Sequence, residues 1–494
     1  MKKILLTILI LAACLPVVHA ETYKLTLEES IELAKKKSYN MQLLKQDLKI
    51  AELNLKSVTA SLKTNISMTL TLPNYTETVK ERADSAGIYY SVKGLTYGST
   101  LNINQPLPTD GRVYIQSGLS TLRDYDNEAR SANVNTRFGI TQPIDALYGY
   151  NAIKSSLKRA QLAYEQSNKS LKREELNLVY DVSQAYYDLL SVQKREEFAY
   201  SDLLRQTDAQ DISKKKYEAG LIREVDALQM EVDLAEAQSN YDIAVLNKKS
   251  SDNAFKQTLG INLDDSVVLD NNLQYRTVVI DPQKAVAMAL ENRLEIKEQE
   301  IQIELQKLNV KQQKVAGMIK GDLNAYYERT GAINNKDNFD IQNAFNDVFN
   351  NYSIRPSNFG FSFTITIPIL DWGQNRALTK AAEARLLRYN IQKDQLEVSI
   401  KAEVLNLTDK INTNLKRLQL LEKNLTVAQK SFDITLQRYS DGDIDSQALA
   451  LERNRLNTSY SSHLNAYITY QLSLADLMRK TFYDFQNDQP VGGM

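Results

Sequence analysis

Cysteine is almost absent: the 494 residues contain one, Cys14, so no intrachain disulfide framework and no paired-thiol redox motif can form. Histidine is nearly as scarce, with His19 and His463 only, too few for a zinc constellation. Nine prolines and 17 glycines leave long stretches unbroken and favour extended helices. One tryptophan stands against 27 tyrosines. The charge balance, 60 Lys+Arg against 61 Asp+Glu, excludes the basic footprint of a nucleic-acid binder. Past residue 20 no apolar run approaches the ~20 residues that a membrane helix requires. No Gly-rich phosphate loop and no credibly placed Ser/His/Asp set is visible. Catalysis and bound cofactors are therefore not expected.

What is present begins with an export signal. Lys2 and Lys3 precede an apolar run over 4–15, which Pro16 breaks before Val18-His19-Ala20. Small residues at that point fit cleavage after Ala20. Leu11-Ala12-Ala13-Cys14 is also an acceptable lipobox, which would leave a diacylated Cys14 at the mature N-terminus. Cleavage after Ala20 is favoured, because helix-like sequence starts almost at once at Thr26.

The main body states one plan twice. Tyr217-Glu218-Ala219-Gly220-Leu221-Ile222 returns as Tyr439-Ser440-Asp441-Gly442-Asp443-Ile444, and Ser30-Ile31-Glu32-Leu33-Ala34 as Ala285-Val286-Ala287-Met288-Ala289. The expected divisions are a signal at 1–20, a first repeat at 21–259, a joint at 260–282, a second repeat at 283–480 and an unstructured tail at 481–494. In the first repeat, helices are read over 26–62, strands within 64–142, a very long helix at 150–217 and a return helix at 224–259. In the second, the order is a helix at 283–316, strands within 320–369, a long helix at 374–439 and a return at 446–480. Sixty-odd helical residues span on the order of 100 Å. Their narrow apolar stripes, such as Leu171, Leu178, Val182, Ala185 and Leu189, require coiled-coil partners.

Between the helices the period falls to two. Ile66, Met68, Leu70 and Leu72 alternate with small polar residues until Pro73, and three more alternating runs follow at 95–105, 113–120 and 134–142. From 359 to 367, Phe359, Phe361, Phe363, Ile365 and Ile367 alternate with Gly360, Ser362, Thr364 and Thr366. Such a strand faces either a soluble core or lipid, and alternation alone does not separate the two. The Asn- and Asp-rich stretch 331–355 reads as a surface loop.

Ile367-Pro368-Ile369-Leu370-Asp371-Trp372-Gly373-Gln374-Asn375-Arg376-Ala377 resembles the strand-exit motif of the TolC family of outer-membrane efflux and secretion channels. Gln142-Pro143-Ile144-Asp145-Ala146-Leu147-Tyr148-Gly149 resembles a degraded second copy. The two Gly turns and the repeat starts at Thr26 and Ala289 also resemble the family, in order, from about 23 to 480. The resemblance implies a mainly α protein with membrane β: a homotrimer closing one β-barrel in outer-membrane lipid, continued by a long α-helical coiled-coil barrel in the periplasm. It implies a passive exit duct of a tripartite efflux or type I secretion system, carrying small molecules or polypeptides. The implied partners are a periplasmic adaptor (membrane fusion) protein and an inner-membrane pump. The family has two strands in its first half; this chain offers up to four, so 75–130 reads as an extracellular hairpin or as further barrel strands. The alternative, from another class, is a secreted coiled-coil structural or adhesive protein.

On that resemblance the Gly turns become the periplasmic mouth, and Tyr217, Gly220, Leu221, Tyr439, Gly442 and Ile444 the candidates for adaptor docking. Each glycine is also an ordinary helix C-cap. Acids crowd both turns: Glu218, Glu224 and Asp226 in one, Asp441, Asp443 and Asp445 in the other. Repeated threefold they would form gate rings with a preference for cations; alternatively they cap and complement the returning helices. Asp226 matches the family's usual acid, whereas Gln447-Ala448-Leu449-Ala450 lacks the aspartates usual after the second turn. Trp372 reads as an interfacial aromatic or as packing at the strand–helix joint, and His463 as a surface or seam residue.

Overall fold

The computed structural model describes residues 22–81, 87–125, 130–270, 273–335 and 341–491. The signal with Cys14, and the end of the expected tail, lie outside the described residues. In chain order the first repeat runs β1 (Thr22–Leu25), α1 (Leu27–Lys37), α2 (Tyr39–Ser61), β2 (Asn65–Glu81), β3 (Tyr89–Pro106), β4 (Arg112–Asp124), β5 (Arg130–Pro143), α3 (Ala152–Glu218) and α4 (Glu224–Leu259). The second runs β6 (Ser266–Leu269), α5 (Pro282–Asn292), α6 (Leu294–Ala316), β7 (Lys320–Asn335), α7 (Ile341–Ile354), β8 (Asn358–Thr366), α8 (Gln374–Asp441) and α9 (Ser446–Thr481), then β9 (Tyr483–Asp484) and β10 (Gln489–Pro490). Matching helices agree in length: 11 and 11 residues for α1 and α5, 23 and 23 for α2 and α6, 67 and 68 for α3 and α8, 36 and 36 for α4 and α9. Lengths this close argue for duplication where few residues are shared.

Local chemistry fixes the starts. Thr26 and Glu29 form a capping box, each side chain bonding the other's backbone N–H (3.2 and 2.8 Å). At the equivalent place Asp281 caps α5 through Gln283 N–H (2.9 Å), with Pro282 in the first turn, where its missing N–H costs nothing. β1 and β6 pair in parallel, Thr22 opposite Ser266. The expected joint between repeats therefore contains the first strand of the second one.

Two compact units cut across the repeats. One draws on 22–47, 168–298 and 393–491 and is helical apart from the short strand pairs. Its core includes Val182, Leu189, Phe255, Ile411, Leu418 and Tyr470. The segment after Phe482, expected as an unstructured tail, turns back instead: β9 pairs with β10, and Lys284 Nζ bonds Asp488 (2.7 Å) and the Tyr483 hydroxyl (3.1 Å). The positive φ of Phe482 ends α9 and makes that turn.

The other unit draws on 48–167 and 299–392 and holds a six-stranded antiparallel sheet in the order β2-β3-β4-β5-β7-β8. Residues 75–130 are thus mostly sheet: β3 and β4 lie between β2 and β5, hydrogen-bonded on both sides. β2 does not stop at Pro73, as its sequence suggested. Its pairing slips between Thr71 and Asn74 and continues to Glu81, because an edge strand tolerates a proline at a bulge. The expected loop 331–355 is likewise part strand and part helix. Val348 and Tyr352, one helical turn apart, pack α7 on Ala132, Val134, Leu119 and Ile333, so tertiary contact overrides an Asn-rich composition.

The register sorts the side chains. Ile66, Ile103, Ile115, Phe138, Tyr327 and Phe359 fall in one cross-strand row and therefore on one face. Met68, Leu101, Val113, Ile140, Leu323, Phe361 and Phe363 share that face, and all are exposed. The opposite face is small and polar: Ser67, Thr69, Asn102, Gln116, Asn135, Ser362 and Thr364, with Arg137 paired to Glu328 and lying 4.6 Å from the Tyr326 ring centre. Among the described residues no helix is long and apolar enough to cross a membrane.

Candidate functional site

Each very long helix ends on a glycine in the left-handed region, Gly220 at φ +68° and Gly442 at φ +90°. The closing bonds match. Gly220 N–H donates to Tyr217 O (2.9 Å) and Leu221 N–H to Lys216 O (2.8 Å); Gly442 N–H donates to Tyr439 O (3.2 Å) and Asp443 N–H to Arg438 O (2.9 Å). This is the Schellman pattern, which uses up carbonyls that the helix end leaves unpaired. A Cβ at Gly220 would meet open space, so the backbone angle, not crowding, requires glycine there.

Alike in backbone, the two turns differ in their side chains. Tyr217 and Leu221 are exposed, as are both glycines. Tyr439 is 2% exposed and sits in a cluster with Ala209, Met230, Phe432, Leu449 and Leu456, against which Ile444 packs. Tyr439 and Ile444 therefore brace the second turn from beneath, and the exposed docking candidates are Tyr217, Gly220, Leu221 and Gly442. Burial pushes the Tyr439 phenol up.

The six acids divide by environment. Asp445 is the N-cap of α9, accepting from Ala448 N–H (2.9 Å). Asp226 accepts two bonds from Arg223 (3.1 and 3.3 Å), which hold its carboxyl below the usual carboxylate range. The same Arg223 is raised chiefly by its bond to Asp226 and further by the charge of Asp445. Glu218, Glu224, Asp441 and Asp443 are exposed. Glu224 and Asp226 stand in the first turn of α4, where they complement the helix dipole; the cap position itself is Arg223, whose side chain makes no capping bond.

Several contributors escaped the sequence reading. Lys216 donates to the Tyr439 carbonyl oxygen, joining the two copies, and its sequence signal was the Lys214-Lys215-Lys216 run just ahead of Gly220. Deeper in the same unit Arg453 is buried on Asp202 (3.8 Å) and Glu236 (3.3 Å). Burial pushes the Asp202 carboxyl up, opposed by Arg453 and Arg205. In the sheet-bearing unit Trp372 is exposed at φ +52° beside exposed Ile369 and Leu370, which fits an interfacial residue better than a packed one. His463 is half-buried on α9. Among the described residues no group of side chains converges as a metal site. What the turns offer is shape, charge and a braced backbone.

The sequence pattern of the family described as outer membrane efflux protein matches residues 116–261 and 285–480. No curated protein sequence matches the chain. Solved structures do. A membrane protein from Pseudomonas aeruginosa superposes with a TM-score of 0.68 at 17% identity, over 92% of this chain and 93% of that one. The Campylobacter jejuni CmeC outer membrane channel gives 0.68 at 14%, over 95% and 87%. The outer membrane protein VceC from Vibrio cholerae gives 0.66 at 17%, over 92% and 95%. At these identities the likeness is one of fold.

Proposed function

From the chain's membership of the outer membrane efflux protein family, we propose that three copies close one barrel and line one duct, gated at the Gly220 and Gly442 turns. As a member of that family the chain is an outer-membrane exit duct of an efflux system, a conduit and not an enzyme. Membership sets aside the alternative of a secreted adhesive protein.

The observation that carries the trimer is the sheet. It has two open edges, β2 and β8, and its exposed apolar face suits lipid while the opposite face suits water. Unpaired backbone groups in hydrocarbon cost several kcal/mol each, so a sheet in a membrane must close. Six strands are fewer than the eight of the smallest bacterial barrels. Three copies supply eighteen (3 × 6), enough for an aqueous lumen. The long helices of the three copies then pair as a coiled-coil tunnel, and the Gly turns converge at its periplasmic mouth.

At that mouth a periplasmic adaptor docks on the exposed Tyr217, Gly220, Leu221 and Gly442, and an inner-membrane pump delivers the cargo. The cargo is small molecules or, in the secretion variant, polypeptides. Glu218, Glu224, Asp441 and Asp443 form the charged ring of the gate, while Asp226 and Asp445 hold the return helices. Light scattering of the detergent-purified protein tests the assembly: a trimer with no folded monomer is expected, and a compact, stable monomer overturns it.

A further inference from the structure

The two edges of the sheet are unequal. β8 has 9 residues and β2 has 17. Both reach the helical end of the sheet, at Thr366 and Asn65, so antiparallel pairing between copies uses β8 and the part of β2 before Pro73. That is where β2 slips register. Beyond it, residues 74–81 find no strand on the neighbouring copy, and there β7 past Glu328 has no β8 beside it. The space left between them is about two strand spacings, ~10 Å.

α7 lies on the apolar face of the sheet, over β7 and β5, beside that space. Val348 is fully buried on Ala132 and Val134, and Gly331 admits the close approach: a Cβ there would lie 2.4 Å from the Val348 oxygen. Asn351 Oδ1 accepts from Ala332 N–H (3.0 Å), a β7 group beyond the reach of β8. Arg329 donates to Ser353 O (3.1 Å), at the negative end of the helix dipole. Lying on that face, a helix ~10 Å across spans the gap from above and does not fill it.

α7 leaves two large apolar side chains uncovered: Phe349 is 54% exposed and Ile354 79%. On β2 past the slip, Tyr75 and Val79 are 55% and 70% exposed. The slip also changes parity. Even-numbered residues occupy the apolar face before it, whereas after it Tyr75 and Val79, opposite Leu95 and Ser91, continue that face.

We infer that α7 roofs the gap left by the short β8 at each subunit seam, on the apolar face of the sheet, packing Phe349 and Ile354 on Tyr75 and Val79 of the next copy. The inference rests on the trimeric barrel proposed above, and it makes the seam composite: strand on strand near the helices, helix on strand farther out.

Cysteine cross-linking in outer membranes tests it, with the parent chain and its Cys14 as background. Phe349→Cys combined with Val79→Cys reports the helix seam, and Ile354→Cys with Tyr75→Cys repeats that report should the first pair fold poorly. Met68→Cys with Phe363→Cys reports the strand seam. A short bis-maleimide should give a dimer-to-trimer ladder with every pair and none with the single variants. A ladder from the strand pair alone overturns the α7 inference and leaves the trimer standing; α7 would then face lipid. No ladder from any pair removes the trimeric reading, and the inference with it.

Discussion

Lys216 and Tyr439 tie the two helical turns of one chain together. The Lys216 ammonium donates to the Tyr439 carbonyl oxygen and lies 4.8 Å from the centre of the Tyr439 ring. The same carbonyl accepts from Gly442 N–H, so one oxygen both closes the second turn and anchors the first helix to it. This couples the two turns: opening one strains the other.

Lys216→Met should therefore loosen both turns at once. A hydrogen bond to a charged group contributes about 1.5–3 kcal/mol, and the substitution leaves the Gly442 bond in place. Limited proteolysis should cut faster near 217–224 and near 440–445, and the reconstituted channel should conduct more. Faster cleavage at the first turn alone would show that the turns are independent.

The acids should separate into two groups. Asp445→Ala removes the α9 cap and should cost about 0.5–2 kcal/mol, read as greater protease sensitivity at unchanged ion selectivity. Asp441→Asn with Asp443→Asn removes exposed charge, six negative charges per trimer (2 × 3), and should lower cation selectivity while leaving cleavage unchanged. Reversal potentials across a salt gradient measure this; a shift with Asp445→Ala and none with the pair would invert the assignment.

Why some of this was legible in the sequence and some not has physical reasons. The duplication and the long helices were readable because periodicity and cap chemistry are local: Thr26 with Glu29, Asp281 with Pro282, and the two glycines each announce a helix end. The placement of Tyr217 and Tyr439 was not, since one residue type at equivalent positions is exposed in one copy and buried in the other by neighbours distant in sequence, Ala209 and Met230 among them. The same holds for α7, whose Asn-rich sequence has low helix propensity and is held by Val348. Pro73 misled because only the sheet order shows that β2 is an edge strand. The second life of the tail, on Lys284, likewise depended on a contact across most of the second repeat.

His463 should give the helical unit a pH dependence. Burial lowers its pKa from the ordinary value of 6.5, with Glu422 opposing. A lowered folded pKa means that the unfolded chain takes up the proton first. The stability contributed by the neutral ring is then complete above about 6.5 and is lost as pH falls towards the folded value. The melting temperature of the purified protein should drop between pH 7.5 and 5.5, and His463→Gln should reduce that drop. An equal drop in both would assign the dependence to other groups.

The register makes the sharpest prediction about the membrane. Phe363 lies opposite Leu323 on the apolar face, and Thr364 lies opposite Asp322 on the polar one. Arginine at 363 must carry its charge into lipid, which costs on the order of 2–4 kcal/mol at the bilayer midplane and less towards the interface. Arginine at 364 enters the lumen facing a carboxylate across the ladder, where it should fold normally and shift the channel towards anions. Heat-modifiability on gels reads the first effect and single-channel selectivity the second. Since a shift of one residue reverses which side chain meets lipid, equal tolerance at both positions would contradict the faces assigned to all six strands.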